Sequence, residues 1–140
     1  MLEDEISLLQ KIETLAERDN AYRCAAYLFV YAALEYTVKT LQREQETGQE
    51  RHVSGQELSH GIASYAREQF GPMVRSVFDH WGIHSTLDFG KIVFRLIEEG
   101  VMRKTENDRL EDFRNVYDFD RIFDPKKIQN SIAGLDLDRL

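Results

Sequence analysis

Apolar residues recur every three or four positions through the first hundred residues, which is the period of an amphipathic α-helix. The first predicted helix covers about residues 3–18 and the second about residues 21–46. The second is apolar around most of its circumference between Ala25 and Leu34. Such a helix is expected to lie in the centre of a core, or to supply an interface as well.

Capping sequences divide the next fifty residues into three shorter helices. Ser54 and Glu57 have capping-box spacing, in which each side chain accepts a hydrogen bond from the backbone N–H of the other residue. Ser85 and Asp88 repeat the signal more weakly. Glycine and proline at 71–72 are typical of one helix ending and another beginning. The pattern therefore predicts helices from the Ser54 cap to about residue 70, over 72–81 and over 86–99.

A different pattern begins after Gly100. Residues 101–105 are expected to form a strand, 106–109 a turn and 110–120 a returning strand. The predicted fold class is mostly α: a five-helix domain with a C-terminal two-stranded β-hairpin. Residues 1–125 are assigned to one helical domain, and residues 126–140 to a C-terminal tail. The apolar residues of the tail either dock, on this domain or on a second subunit, or belong to a frayed terminus.

The order of three helices, with a short middle one, followed by a hairpin is that of a winged-helix module. By analogy at the level of fold, residues 53–120 are expected to be winged-helix-like. In DNA-binding versions the third helix enters the major groove. Here the charges on the outer face of that helix sum to −1, and the predicted wing carries four basic and four acidic residues. This balance disfavours contact with phosphates.

Composition narrows the choice of partner and compartment. The net charge of −7 disfavours nucleic acids and anionic membrane surfaces as partners. The single cysteine, Cys24, excludes an internal disulfide and suits a reducing compartment. The start of the chain is acidic, unlike a signal peptide, and the longest apolar run of eleven residues is too short to span a bilayer. We expect a cytoplasmic protein.

Residues with chemistry are present but do not form a familiar motif. The histidines lack the spacing of a metal site, and only His80 and His84, on either side of a predicted turn, are weak metal candidates. No catalytic residue and no cofactor is predicted. Ser54 is better explained as a helix cap than as a nucleophile. The residues chosen as interaction candidates are aromatic or basic: Trp81, Arg103, Lys104, Arg109 and Tyr117.

Several phrases of the sequence are specific enough to compare with known families. They are RHVSGQEL at 51–58, QFGPM at 69–73, DFGKIVF at 88–94 and KTE at 104–106. With the stretch AYLFV at 26–30, these phrases resemble an uncharacterised bacterial family of about this length. That family has no assigned activity, substrate or cofactor. The resemblance therefore implies a shared domain and says nothing about chemistry.

Three hypotheses for function follow. The leading one is a non-enzymatic protein-interaction or regulatory module, with a protein partner that includes a second copy of the chain as one possibility. The second is a nucleic-acid-binding winged-helix regulator that uses the 86–99 helix and the hairpin. The third is a small-molecule-binding protein or enzyme with a site near His52, His80, Trp81 and His84.

Overall fold

The computed structural model describes residues 2–43, 45–46, 52–105 and 108–127, with side chains from Glu5 onward in the first helix. Its elements are α1 (Leu2–Arg18), α2 (Cys24–Thr40), α3 (Gly55–Phe70), α4 (Val74–Trp81), α5 (Thr86–Glu98), a 3-10 helix at Leu110–Phe113 and α6 (Phe119–Ile122). A 3-10 turn at Gly71–Met73 links α3 to α4. These described residues contain no β-strand.

The predicted β-hairpin is wrong. Residues 101–105 form a bend followed by irregular backbone, and the expected second strand is replaced by the 3-10 helix and α6. Glu106 and Asn107, in the middle of the predicted turn, lie outside the described residues. The winged-helix-like second half predicted for residues 53–120 is wrong with it, because without a hairpin there is no wing.

Short-range hydrogen bonds explain why this segment does not form strands. The Asp108 carboxylate accepts from the Thr105 backbone N–H at 2.7 Å, and the Asp112 carboxylate accepts from that of Arg109 at 3.2 Å. Such side-chain bonds occupy backbone donors that a strand ladder would need. The buried aromatic residues Phe119 and Phe123 are four positions apart, which is a helical spacing rather than the alternation of a strand.

Helix α2 lies in the centre of the fold, as its apolar circumference predicted. It packs most extensively on α3, where Gly61 lies directly against the buried Thr37 side chain. The helix ends at Thr40, six residues before the predicted end at 46. Gln42 has a φ of 58°, and the backbone N–H of Arg43 donates to the Val38 carbonyl oxygen at 2.9 Å. This left-handed residue and its hydrogen bond form a Schellman motif, which stops the helix.

The capping signal at the start of α3 is confirmed. The Ser54 hydroxyl accepts from the Glu57 backbone N–H at 3.0 Å, and a Glu57 carboxylate oxygen accepts from the Ser54 N–H at 3.0 Å. At α5, the Asp88 carboxylate accepts from the backbone N–H groups of Ser85 at 3.1 Å and His84 at 2.8 Å. Both helices therefore begin where the local sequence predicted.

An aromatic cluster joins α4 to the C-terminal segment. Phe78 is fully buried, and its ring lies 5.5–6.1 Å from the ring centroids of Phe29, Trp81, Phe89, Phe119 and Phe123. The large apolar area of these rings anchors the last helix to the rest of the core. The predicted tail at 126–140 is described only for Lys126 and Lys127, so its proposed docking lies outside the described residues.

Candidate functional site

A groove of about 560 Å³ lies between α2, the start of α3, the second half of α5 and residues from 101–105 and 108–113. Its volume is within the range of ligand pockets in proteins, roughly 300–1,000 Å³. Apolar side chains from all four walls form its floor: Leu34, Val38, Leu58, Val93, Phe94, Ile97, Met102 and Phe113. The groove is thus a concave apolar surface built from distant parts of the chain.

One polar contact ties two walls of the groove together. His52 Nε2 lies 2.7 Å from an Asp108 carboxylate oxygen, with both side chains less than a third exposed. The other Asp108 oxygen accepts from the Thr105 backbone N–H at 2.7 Å. Asp108 therefore holds its own segment in a turn and fastens it to the residues that precede α3.

A carboxylate that holds an imidazole also occurs in general-base catalysis, where the second nitrogen faces the substrate. A serine or cysteine nucleophile is absent from the described residues that line the groove. The nearby Ser54 hydroxyl accepts the capping hydrogen bond from Glu57. On this geometry, His52 and Asp108 connect two segments and place polar atoms at the rim of an apolar surface.

A second network fixes the chain that enters α3. The Arg43 guanidinium donates to the His52 carbonyl oxygen at 2.9 Å and to the Glu57 carboxylate at 3.0 Å. Arg43 lowers the pKa of the Glu57 carboxyl group below its ordinary value of 4.5. Glu57 accepts the capping hydrogen bond from Ser54 at the same time. The end of α2 and the start of α3 are thereby held in one arrangement.

Two glycines allow the 3-10 helix to form the remaining wall. A Cβ atom at Gly90 would lie 2.7 Å from the Phe113 ring, and one at Gly55 would lie 2.9 Å from the Asp112 Cβ. Both distances are too short for carbon atoms in contact, so only glycine lets the backbone approach this closely. The Thr86 hydroxyl donates to the Phe113 carbonyl oxygen at 2.6 Å and completes the attachment.

Three of the five interaction candidates meet at the groove. Arg103, Lys104 and Arg109 line it and are exposed. Lys104 Nζ lies 5.6 Å from the centroid of the Phe94 ring, a cation–π contact. Within the described part of the chain none of the three forms an ion pair.

The other two interaction candidates pack in the interior. The half-buried Trp81 ring packs against Phe29 and Phe70. The Tyr117 hydroxyl donates to the Ser59 carbonyl oxygen at 2.7 Å, and burial raises the pKa of this tyrosine. Both side chains therefore have structural partners, and neither lines the groove.

The groove does not bring together the four residues predicted to form a ligand site. His52 lines it, whereas His80, Trp81 and His84 do not. His80 and His84 are exposed, and His84 Nδ1 lies 3.3 Å from an Asp79 carboxylate oxygen. Residues 2–43, 45–46, 52–105 and 108–127 contain no group of three or more potential metal ligands. The two weak metal candidates, His80 and His84, therefore belong to no such group there.

Sequence reasoning did not identify the floor of the groove. The spacing of Leu34 and Val38 along α2, and of Ile97 along α5, indicates only that each belongs to an apolar helix face. The available signal was the excess apolar surface of α2, which is wider than one core-facing stripe requires. That signal indicates a second surface but does not say which residues face it.

Comparison with known proteins identifies no relative of this chain. No protein-family model, no curated protein and no solved structure matches this chain. Among the described helices, none has the length and apolarity needed to cross a bilayer. The resemblance to an uncharacterised bacterial family stays a prediction.

Proposed function

We propose that this chain is a non-enzymatic regulatory module and that it binds the apolar part of a small ligand in the groove. The observation that carries the proposal is the groove itself, a concavity of about 560 Å³ whose floor is apolar and whose rim holds a few polar groups. This combination is typical of ligand sites, where apolar contact supplies affinity and a few polar atoms set orientation.

The polar residues at the rim support binding in preference to catalysis. His52 is engaged through its side chain by Asp108 and through its carbonyl oxygen by Arg43. These contacts hold the walls in place before a ligand arrives. A binding surface that is already organised loses less conformational entropy on association. A ligand that contacts all four walls would stabilise them together, and this linkage provides a route to regulation.

Binding of the neutral dye Nile red, followed by its fluorescence, tests the proposal. Leu34→Gln places a polar group in the floor, and Val101→Phe fills part of the groove while keeping an apolar side chain. Met73→Gln is the matched control, because Met73 is 56% exposed and does not line the groove. We expect both groove variants to weaken dye binding by at least about fivefold, equivalent to about 1 kcal/mol.

Thermal unfolding of each variant separates loss of the site from loss of the fold. The proposal is contradicted if folded Leu34→Gln and Val101→Phe bind the dye as well as the original chain. It is contradicted equally if Met73→Gln weakens binding to the same degree, because the dye then binds somewhere else.

The second candidate function is binding of a protein partner, and we propose that this partner is a second copy of the chain. The observation that favours it is the outer face of α1, where Ile6 and Leu9 are 46% and 43% exposed. Such adjacent apolar side chains, one helical turn apart, form a patch that two-fold symmetry would pair with itself. Size-exclusion chromatography with light scattering tests this directly. A dimer that Ile6→Lys converts to a monomer is expected, and a strict monomer at all concentrations overturns it.

A further inference from the structure

The charges around the groove are unevenly distributed. Its cationic side chains, Arg103, Lys104 and Arg109, all come from the described stretches 101–105 and 108–113, which form one wall. The opposite wall, on α2, contributes a single charged residue, Glu35. The three cations are notable because the whole chain carries a net charge of −7.

The two carboxylates on the cationic wall have other partners. Asp108 binds His52 and the Thr105 backbone N–H, and Asp112 accepts from the Arg109 backbone N–H. Their carboxylate oxygens thus bind groups other than the guanidinium and ammonium groups beside them. In the described part of the chain those cations form no ion pair. The wall therefore offers charged donors to a ligand group placed at the rim.

Lys104 connects the charged wall to the apolar floor. Its ammonium group lies over the Phe94 ring, which is itself part of the floor. A ligand whose apolar body contacts Phe94 would have its end near this ammonium group. The apolar and cationic parts of the site are therefore contiguous, which is the arrangement that an amphipathic anion requires.

We propose that the ligand of the groove is a small amphipathic organic anion, with its apolar body on the floor and its carboxylate or sulfonate group against Arg103, Lys104 and Arg109. This inference rests on the proposed function and adds that the head group of the ligand carries a negative charge. Arginine supplies several N–H donors in a planar fork suited to such an anion, and lysine supplies a point charge. Because all three cations are exposed, they set preference more than affinity.

Three amphiphiles with closely similar apolar tails and different heads test the proposal: decanoate, decyltrimethylammonium and decyl maltoside. Each is titrated into the full chain below its micelle concentration, with heat as the signal. Decanoate is expected to bind about tenfold more tightly than decyltrimethylammonium at low ionic strength. This preference should decrease in about 1 M salt, where the Debye length is only about 3 Å.

The double variant Arg103→Gln/Lys104→Gln should lose most of the decanoate preference, about fivefold to tenfold, and keep its affinity for decyl maltoside. Lys91→Gln/Arg121→Gln is the matched control, because it removes two exposed cations that do not line the groove. This control should keep the preference. Leu34→Gln should weaken binding of all three amphiphiles, since they share the apolar tail.

The outcomes separate the two proposals. If no amphiphile binds the original chain, the proposed function fails and the inference about the head group fails with it. If all three bind equally and Leu34→Gln weakens them all, the groove is a ligand site and the anion preference is overturned. If the preference survives in Arg103→Gln/Lys104→Gln, the anion is recognised elsewhere and the inference is overturned as well.

Discussion

Replacing Gly61 by alanine tests how closely α2 and α3 pack. A Cβ atom at position 61 would lie 1.9 Å from the Thr37 hydroxyl oxygen and 2.9 Å from the Thr37 Cβ and Cγ2 atoms. Thr37 is only 2% exposed, and its hydroxyl donates to the Ala33 carbonyl oxygen within α2. Rotation of the Thr37 side chain leaves the clash with its Cβ atom, so the helices themselves must move apart.

The size of the effect follows from two opposing terms. Alanine in a helix interior is favoured over glycine by about 1 kcal/mol. Overpacking of a buried contact costs about 1–3 kcal/mol, and a 1.9 Å approach belongs at the upper end. We therefore expect Gly61→Ala to lower the free energy of unfolding by about 2 kcal/mol. For a chain of this length that corresponds to a decrease in Tm of about 8 °C by calorimetry or circular dichroism.

A double-mutant cycle identifies the cause. Thr37→Gly removes all three Thr37 atoms that the new methyl group would contact. This substitution also lowers stability by itself, because it removes buried area and reduces helix propensity. Gly61→Ala/Thr37→Gly should be more stable than the sum of the single effects by about 3 kcal/mol, because the overpacking disappears and the propensity of alanine remains. Ser64→Ala, at an exposed position of α3, controls for helix propensity. An unchanged or higher Tm for Gly61→Ala, or a cycle without coupling, would show that α2 and α3 do not pack this closely at position 61.

Three further measurements address the residues around the groove and the free thiol. Arg43 lowers the pKa of the Glu57 carboxyl group. The ionised Glu57 therefore stabilises the fold at pH values above its ordinary pKa, and this stabilisation is lost as the pH falls through the lowered pKa. Urea titrations between about pH 5 and pH 3 should therefore show a flatter pH dependence for Glu57→Gln, and identical slopes would contradict the ion pair. Asp108→Ala removes the hydrogen bonds to His52 and to the Thr105 N–H, and it should lower the free energy of unfolding by about 2 kcal/mol in chemical denaturation. Asp108→Asn should cost less, because its amide oxygen can still accept from the Thr105 N–H and keep the turn. Equal costs for the two variants would contradict this role of the turn. Burial raises the pKa of the half-buried Cys24 thiol, so iodoacetamide should alkylate the folded chain more slowly than the urea-unfolded chain at the same pH, and equal rates would count against this burial.

The helices that the sequence predicted well are those defined by local chemistry. The reciprocal hydrogen bonds of Ser54 and Glu57 involve residues three positions apart, and they start α3 where the pattern indicated. Gly82, with a φ of 88°, likewise ends α4 at the expected place. Such signals need no information from distant parts of the chain, so they can be interpreted directly.

The groove and its cationic wall depend on contacts between distant residues. In residues 101–105 and 108–113, Phe113 packs on Gly55 and Gly90, and Asp108 lies against His52. These partners are between 23 and 58 positions apart in the chain, so no local pattern marks them. The pattern of apolar and polar residues in this short segment predicted a strand. The prediction was wrong because such a pattern does not specify which distant residues the segment will pack against.

The sequence by itself determined the five longer helices, the central place of α2 and the acidic balance of the chain, because periodicity, capping and composition are local or additive properties. It also indicated that α2 has more apolar surface than one core face needs. Only the tertiary structure decided where that surplus lies: Leu34 and Val38 face a groove, and the same arrangement brings Arg103 and Lys104 to its rim. The physical reason is that a helix pattern specifies which residues are apolar, whereas the glycine contacts and the His52–Asp108 pair decide which of them remain accessible to a ligand.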